Sequence, residues 1–321
     1  MIELDPTIDA TFRKVLEDHT AGDPMRLEVK WTNLSRRQIA KRMDGLGTPV
    51  SRDVVSQLLR EHGYRRRKAL KKKTMGPRHP DRNAQFENIA RLKKTYLKAG
   101  LPVISIDTKK KELMGDFYRA GVIDTQETIE TNDHDFASAG AGTVIPHGIY
   151  DVGLNRGFVH LNTSHDTSEL ACDSIAAWWD DHGRTTYPRA KKLLVLCDGG
   201  GSNSASRYVF KEELQKLANR LGIEIRVAHY PPYCSKYNPI EHRLFPHVTR
   251  ACRGVIFQTL ETVRYYVSKT ETTTGLAIRV RILDKVYQTG RKCAAGFKTS
   301  MKIVFDKMLP KWNYRAVPEP V

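Results

Sequence analysis

The sequence is short of acids, holds few cysteines and has no long apolar run. Its five cysteines, Cys172, Cys197, Cys234, Cys252 and Cys293, are odd in number and far apart, with no CxxC pair. That argues against a disulfide framework and a thiolate zinc site, and fits a reducing compartment. The run Leu193 to Cys197, the longest apolar stretch in the middle of the chain, falls far short of the ~20 residues a spanning helix needs. No membrane partner is expected. The opening Met1-Ile-Glu-Leu-Asp5 lacks the basic and then apolar pattern of a secretory signal, so the expected location is cytoplasmic. Gly199-Gly-Gly201 is not followed by Gly-Lys-Ser/Thr, which argues against an ATP-binding P-loop.

Asp and Glu total 36 against 53 Lys and Arg, a net charge of +17. A polyanion is the partner this implies, with nucleic acid the leading candidate. The excess is concentrated: residues 31–80 carry 14 basic and 3 acidic residues. A second basic stretch, Arg279 to Arg315, has ten basic residues and two acidic ones. At 321 residues the chain is long enough for about two domains.

The basic N-terminal region carries helix signals. A short periodic segment around Phe12, Val15 and Leu16 is followed by the breaker Gly22-Asp23-Pro24. Ser35 with Gln38 reads as a capping box opening a helix from Arg36 to Met43, with Ile39 and Met43 on one face. After the turn Asp44 to Val50, Ser51 caps a second helix with Val54, Val55, Leu58 and Leu59 inward, ending at Gly63. Two short helices joined by a Gly-containing turn point to a helix-turn-helix DNA reader. Its expected DNA-binding residues are Arg36, Arg37, Arg52, Arg60, Arg65, Arg66, Arg67, Lys71, Lys72 and Lys73.

Beyond the proline-broken segment Met75 to Asp81, the pattern changes. A helix over Asn83 to Lys98 precedes three consecutive strand candidates: Pro102 to Asp107, Val144 to Val152 and Gly157 to Thr163. Residues 116–143 are polar and Gly-rich, an insertion or long loop. Asp166 with Glu169 reads as a capping box for a helix carrying Leu170, Ile175, Trp178 and Trp179. Lys192 to Asp198 is a buried strand, Phe210 to Leu221 an amphipathic helix and Ile223 to His229 another strand. A last helix begins near Asn238. This order predicts an α/β mixed sheet with helices on both faces. The expected layout is a helix-turn-helix region over 1–74, a linker and helix over 75–100, a catalytic core over 101–255 and a basic C-terminal region over 256–321.

Three acids stand out by position. Asp107 and Asp198 end strands, where open α/β folds place their sites. Glu241 sits in the first turn of the last helix. Carboxylates converging there suit Mg²⁺ or Mn²⁺, and two such ions support phosphodiester chemistry. Each acid also has an ordinary structural reading. For Glu241 that reading is sharp, because Asn238-Pro239-Ile240-Glu241 has the form of a capping box, and spacing does not choose between the two. Tyr230, Tyr233 and Tyr237 sit among prolines, where they could pack the loop or stack on unpaired bases.

Ser105-Ile-Asp107-Thr-Lys-Lys-Lys-Glu112, Cys197-Asp198-Gly-Gly-Gly-Ser-Asn203, and Pro231-Pro232 through Ser235-Lys236-Tyr237-Asn238-Pro239-Ile240-Glu241-His242-Arg243-Leu244-Phe245 together resemble the DDE transposases of bacterial insertion sequences. The resemblance is to the ISAzo-type family, distant kin of the mariner group, and spans nearly the whole chain. It implies an RNase H-like core with Asp107, Asp198 and Glu241 as a metal-binding catalytic triad for two divalent ions, Mg²⁺ or Mn²⁺. It also implies transposon terminal inverted repeats and target DNA as partners, a homo-oligomer on DNA and a nucleoid-associated location in a bacterium. The 42 residues between Asp198 and Glu241 make a longer gap than is usual in mariner relatives. Two other readings share these residues: a nuclease or resolvase on the same core without strand transfer, and a DNA-binding regulator whose acids are vestigial.

Overall fold

The computed structural model describes residues 6–17, 19–23, 26–67 and 79–319. The chain divides into two compact units, residues 1–73 and 74–321.

In the first unit, α1 (Pro6–Glu17) is followed by an antiparallel hairpin of β1 (Thr20–Asp23) and β2 (Arg26–Thr32), then by α2 (Arg36–Asp44) and α3 (Arg52–Glu61). Gly22 and Asp23, read as part of a breaker, lie in β1 instead, and Pro24 lies outside the described residues. The Ser35/Gln38 capping box forms in full, and the Ser51 side chain accepts the Val54 N–H. Phe12, Val15, Leu16, Ile39, Met43, Val55 and Leu58 make one small core, with Val54 and Leu59 half-buried around it.

The second unit begins with α4 (Arg82–Lys98), then β3 (Val103–Thr108), β4 (Glu112–Met114), β5 (Gly142–Asp151) and β6 (Arg156–Asn162). The segment 116–141 is irregular apart from a 3₁₀ turn at Ala137–Ala139. Next come α5 (Ser168–Trp178), α6 (Arg184–Thr186), β7 (Lys192–Cys197), α7 (Tyr208–Leu221) and β8 (Glu224–His229). The chain continues through α8 (Pro239–Arg243), α9 (Phe245–Ala251), α10 (Leu260–Ser268) and β9 (Ala277–Ile282). It closes with α11 (Phe297–Ser300), β10 (Ile303–Phe305) and β11 (Asn313–Ala316).

The main sheet runs β10-β11-β8-β7-β3-β5-β6-β9, with β4 paired to β5. β3, β7 and β8 are parallel neighbours, β5 is antiparallel to both β3 and β6, and β9 is parallel to β6. This is the mixed sheet, flanked by helices on both faces, of an RNase H-like fold. β7 reads Leu-Leu-Val-Leu because both its faces are covered. Leu193 and Val195 pack with Phe210 and Leu214 of α7 and Ile175 and Trp178 of α5, whereas Leu194 and Leu196 pack with Ile89, Leu92 and Tyr96 of α4. The helices α8 to α10 cover Tyr150, Val159 and Leu161 of β5 and β6. Because β6 runs parallel to β3 and β7, all three strands deliver the chain to the same edge of the sheet.

The helix after β6 departs from its expected cap. Thr167, not Asp166, is the N-cap of α5, its side chain accepting the Leu170 N–H at 3.1 Å. Asp166 is left for another role.

Candidate active site

Asp107 is the next-to-last residue of β3, and strand alternation decides what surrounds it. Ile104 and Ile106 face the α5/α7 layer, so Ser105 and Asp107 face the opposite side, where α8 arrives. Asp198 follows the last residue of the neighbouring parallel strand, so the two acids leave the sheet at one edge.

Glu241 reaches this edge because the start of α8 is tied to β3. The Asn238 side chain donates to the Ile106 carbonyl at 3.0 Å and accepts from Ser105 Oγ at 2.5 Å. Ser105 Oγ in turn accepts the Ile240 N–H at 3.0 Å. The capping box read into Asn238 and Glu241 therefore does not form: Asn238 makes no side-chain cap, and the hydroxyl at the helix start comes from β3. The Glu241 carboxyl instead lies near enough to Asp107 to add to the rise of its pKa.

The electrostatics follow from packing acids together. Burial, followed by the nearby Asp198, pushes Asp107 up to about 8, against a Thr108 N–H that favours its charged form; Glu241 adds to the rise. Asp198 is also raised, first by burial and then by Glu241 and Asp166, while the Gly200 N–H at 3.3 Å supports its charge. Asp166, four residues beyond the end of β6, is the acid that sequence reasoning missed. Thr108 Oγ1 donates to it at 3.0 Å. The signal was available, since it is a third acid just past a core strand, but the capping pattern with Glu169 claimed it first. Glu112 is excluded from the cluster by its own partners, the Lys109 ammonium and the Arg119 guanidinium.

Behind Asp198 lies a buried chain of hydrogen bonds. His229 Nδ1 donates to the Asp198 carbonyl at 2.7 Å, and Tyr314 Oη donates to Nε2 at 2.8 Å. Burial holds the His229 pKa down to about 4, so the ring is neutral and this single proton arrangement satisfies both partners. Lys211 Nζ donates to the Ala205 carbonyl at 2.5 Å and lies 4.5 Å from the centre of the Tyr314 ring, tying the loop after Asp198 to α7 and β11. Gly201 in that loop has φ +57, a conformation that favours glycine.

Three carboxylates with only oxygen donors have the chemistry of a Mg²⁺ or Mn²⁺ site. Among the described residues, no three His, Cys, Asp or Glu side chains stand as a finished ligand set.

In the first unit, a groove of about 1550 Å³ is lined by Ser35, Arg36, Arg37, Ser51, Arg52, Arg60, Arg65, Arg66 and Arg67. It gathers every expected DNA-binding residue that the structure describes. Lys71, Lys72 and Lys73 lie outside the described residues.

No helix among the described residues is long and apolar enough to cross a membrane. A search of curated proteins gives no match. Among solved structures the chain is similar to the Mos1 transposase paired-end complex with left transposon end, at 14% identity over 83% of this chain and 72% of that one, TM-score 0.44. It is also similar to the Mos1 mariner paired-end complex with Mn (15% identity, 81% and 69% covered, TM-score 0.43) and to the Mos1 strand transfer complex (15%, 83% and 71%, 0.43). The family model described as the Rhodopirellula transposase DDE domain matches residues 11–318, and the chain belongs to that DDE transposase family.

Proposed function

We propose that this protein is a transposase that cuts the ends of its element and joins the freed 3′-hydroxyl to target DNA, with Asp107, Asp198 and Glu241 as the catalytic, metal-holding acids. The observation that carries this reading is that Asp107 and Asp198 leave adjacent parallel strands at one sheet edge, while the start of the Glu241 helix is tied to β3 beside Asp107. Membership of the family makes polynucleotidyl transfer the reaction class.

When bound, two Mg²⁺ or Mn²⁺ ions supply Lewis-acid activation of the attacking oxygen and stabilisation of the leaving one. The protein contributes the rest. Asp107 and Asp198 fix two carboxyls to adjacent strands, and the Ser105–Asn238 pair fixes the third by anchoring α8. Water or the 3′-hydroxyl is the nucleophile, so no covalent Tyr or Ser intermediate forms. The groove lined by Arg36, Arg37, Arg52, Arg60, Arg65, Arg66 and Arg67 binds the terminal inverted repeats, its guanidinium groups pairing with phosphates. Copies of the protein act together on DNA in a bacterial nucleoid.

Cleavage of end-bearing DNA by the purified protein with Mg²⁺ tests the assignment. Asp107→Asn, Asp198→Asn and Glu241→Gln should each abolish cutting and leave DNA binding within about twofold, because the basic surface is untouched. Cutting that persists in any one variant removes that residue from the triad. Cutting without joined product in a two-plasmid assay would favour a nuclease.

A further inference from the structure

The segment Tyr230 to Asn238 links two of the three acids. At one end the Tyr230 N–H donates to the carbonyl of Cys197, the residue before Asp198, at 2.8 Å. At the other, Asn238 is bonded to Ser105 and Ile106, the two residues before Asp107. Both ends of the segment are thus fixed next to the acids, and its middle is a short loop between those two anchors.

The three tyrosines of the segment behave differently. Tyr230 is 4% exposed and packs against Phe86, with ring centres 6.0 Å apart. Tyr237 meets the same Phe86 edge-on at 5.1 Å, and Lys236 Nζ lies 5.1 Å from its ring centre. Tyr233 is 72% exposed, and its ring meets no other ring or cation among the described residues.

Its backbone is the second, independent observation. The Cys234 N–H closes a turn onto the Pro231 carbonyl at 3.1 Å, with Pro232 second and Tyr233 third in the turn. Tyr233 has φ +59. Proline in the second position and positive φ in the third is the type II pattern, whose third position belongs to glycine. A bulky aromatic residue there is strained, and its ring gains no packing in return. Three residues from the Tyr230 anchor, it lies within ~10 Å of that residue along the chain.

We infer that Tyr233 is a stacking platform for an unpaired nucleobase of the DNA strand at the acid cluster. This deepens the transposase reading and rests on it for the location of the cut strand. A tyrosine ring offers the flat apolar face that any base can cover, whatever its identity. The +17 charge of the protein makes a polyanion the partner to which this face is presented.

Binding by the full chain tests the inference, with Ca²⁺ present and no Mg²⁺ so that cutting is not scored. The probes are a blunt DNA duplex and the same duplex carrying a three-nucleotide single-stranded overhang. The wild type should prefer the overhang. Tyr233→Gly should lose that preference, by roughly 5–150-fold, the loss that goes with one stacked base, and bind the blunt duplex as before. Its Tm should hold or rise, because glycine suits the positive φ, so a folding defect is not the cause. Tyr233→Phe should keep the preference. A wild type indifferent to the overhang, or a Tyr233→Gly variant that still prefers it, overturns the inference. So does a Tyr233→Gly variant that changes only the oligomeric state, since the ring would then meet a second copy of the chain. Overhang preference without Mg²⁺-dependent cleavage by the wild type would sink the transposase reading and leave the stacking site standing.

Discussion

Ser105 shows how one hydroxyl can be worth more to the site than its size suggests. It donates to Asn238 and accepts from the Ile240 N–H, and it is fully buried, so its removal leaves a buried N–H and a buried amide oxygen each short of a partner. Ser105→Ala should therefore cost about 2–4 kcal/mol of stability, one to two unsatisfied buried groups, and lower cleavage by loosening the start of α8. Glu241→Gln behaves in the opposite way. Its carboxyl caps nothing, so stability should change by less than ~1 kcal/mol, the size of a lost cap, while cleavage disappears. Thermal or urea unfolding of the two variants beside a cleavage assay separates them. A stable Ser105→Ala, or a Glu241→Gln that still cuts, would restore the capping-box account that the sequence alone left open. The sequence could not choose because Asn-Pro-Ile-Glu satisfies the local rule for a cap. What overrides the rule is a hydroxyl 135 residues away, and long-range contacts leave no trace in local spacing.

At the scale of elements, the strands and helices flanking Asp107 and Asp198 were legible because they are regular and long. β7 is an apolar run, α7 repeats every three or four residues, and the capping box of α2 forms as read. The C-terminal strands were hidden. β9 alternates Ala277, Arg279 and Arg281 with Ile278, Val280 and Ile282, but its arginines made the segment look like a basic tail. β10 and β11 have three and four residues, too few for any period to show. Yet β11 pairs with β8 and brings Tyr314 beneath His229. Tyr314→Phe keeps the ring and removes only the hydroxyl that donates to His229 Nε2. The cost should be about 1–3 kcal/mol, that of a buried acceptor without its donor. Cleavage at limiting Mg²⁺ should fall more than cleavage at saturating Mg²⁺, because the His229 hold on the Asp198 backbone is loosened. A titration of cleavage rate against Mg²⁺ reads the difference, and an unchanged midpoint would show that β11 supports the sheet and not the site.

For the molecule as a whole, the main sheet carries its polar interior in a form that acid should undo. Burial holds His147 and His229 down to about 4 and His160 down to about 3, with His147 and Arg281 adding to the fall at His160. His147 and His160 belong to the antiparallel pair β5 and β6, where they sit directly across from each other, and His229 ends β8. An unfolded histidine takes a proton near pH 6.5, whereas the folded sheet refuses it until about pH 4 or lower. Their contribution to stability is thus intact above pH 6.5 and falls as pH drops below it. Asp107 works against them: with its folded pKa near 8, the native state already holds a proton that the unfolded chain takes up only near 3.8. Asp198 and Asp151, also raised by burial, oppose the histidines in the same sense as Asp107, so the fall in stability towards acid is smaller than three histidines alone would give. Each buried histidine contributes a fall in stability as pH drops between about 6 and 4.5, and each raised carboxyl offsets part of it. Urea unfolding of the metal-free protein at pH 6.0, 5.25 and 4.5 measures the slope. His160→Gln should make it shallower by about one proton, and Asp107→Asn should make it steeper by the same amount. A flat profile, or identical slopes in the wild type and both variants, would mean that water reaches these rings and that the centre of the sheet is less closed than its packing indicates.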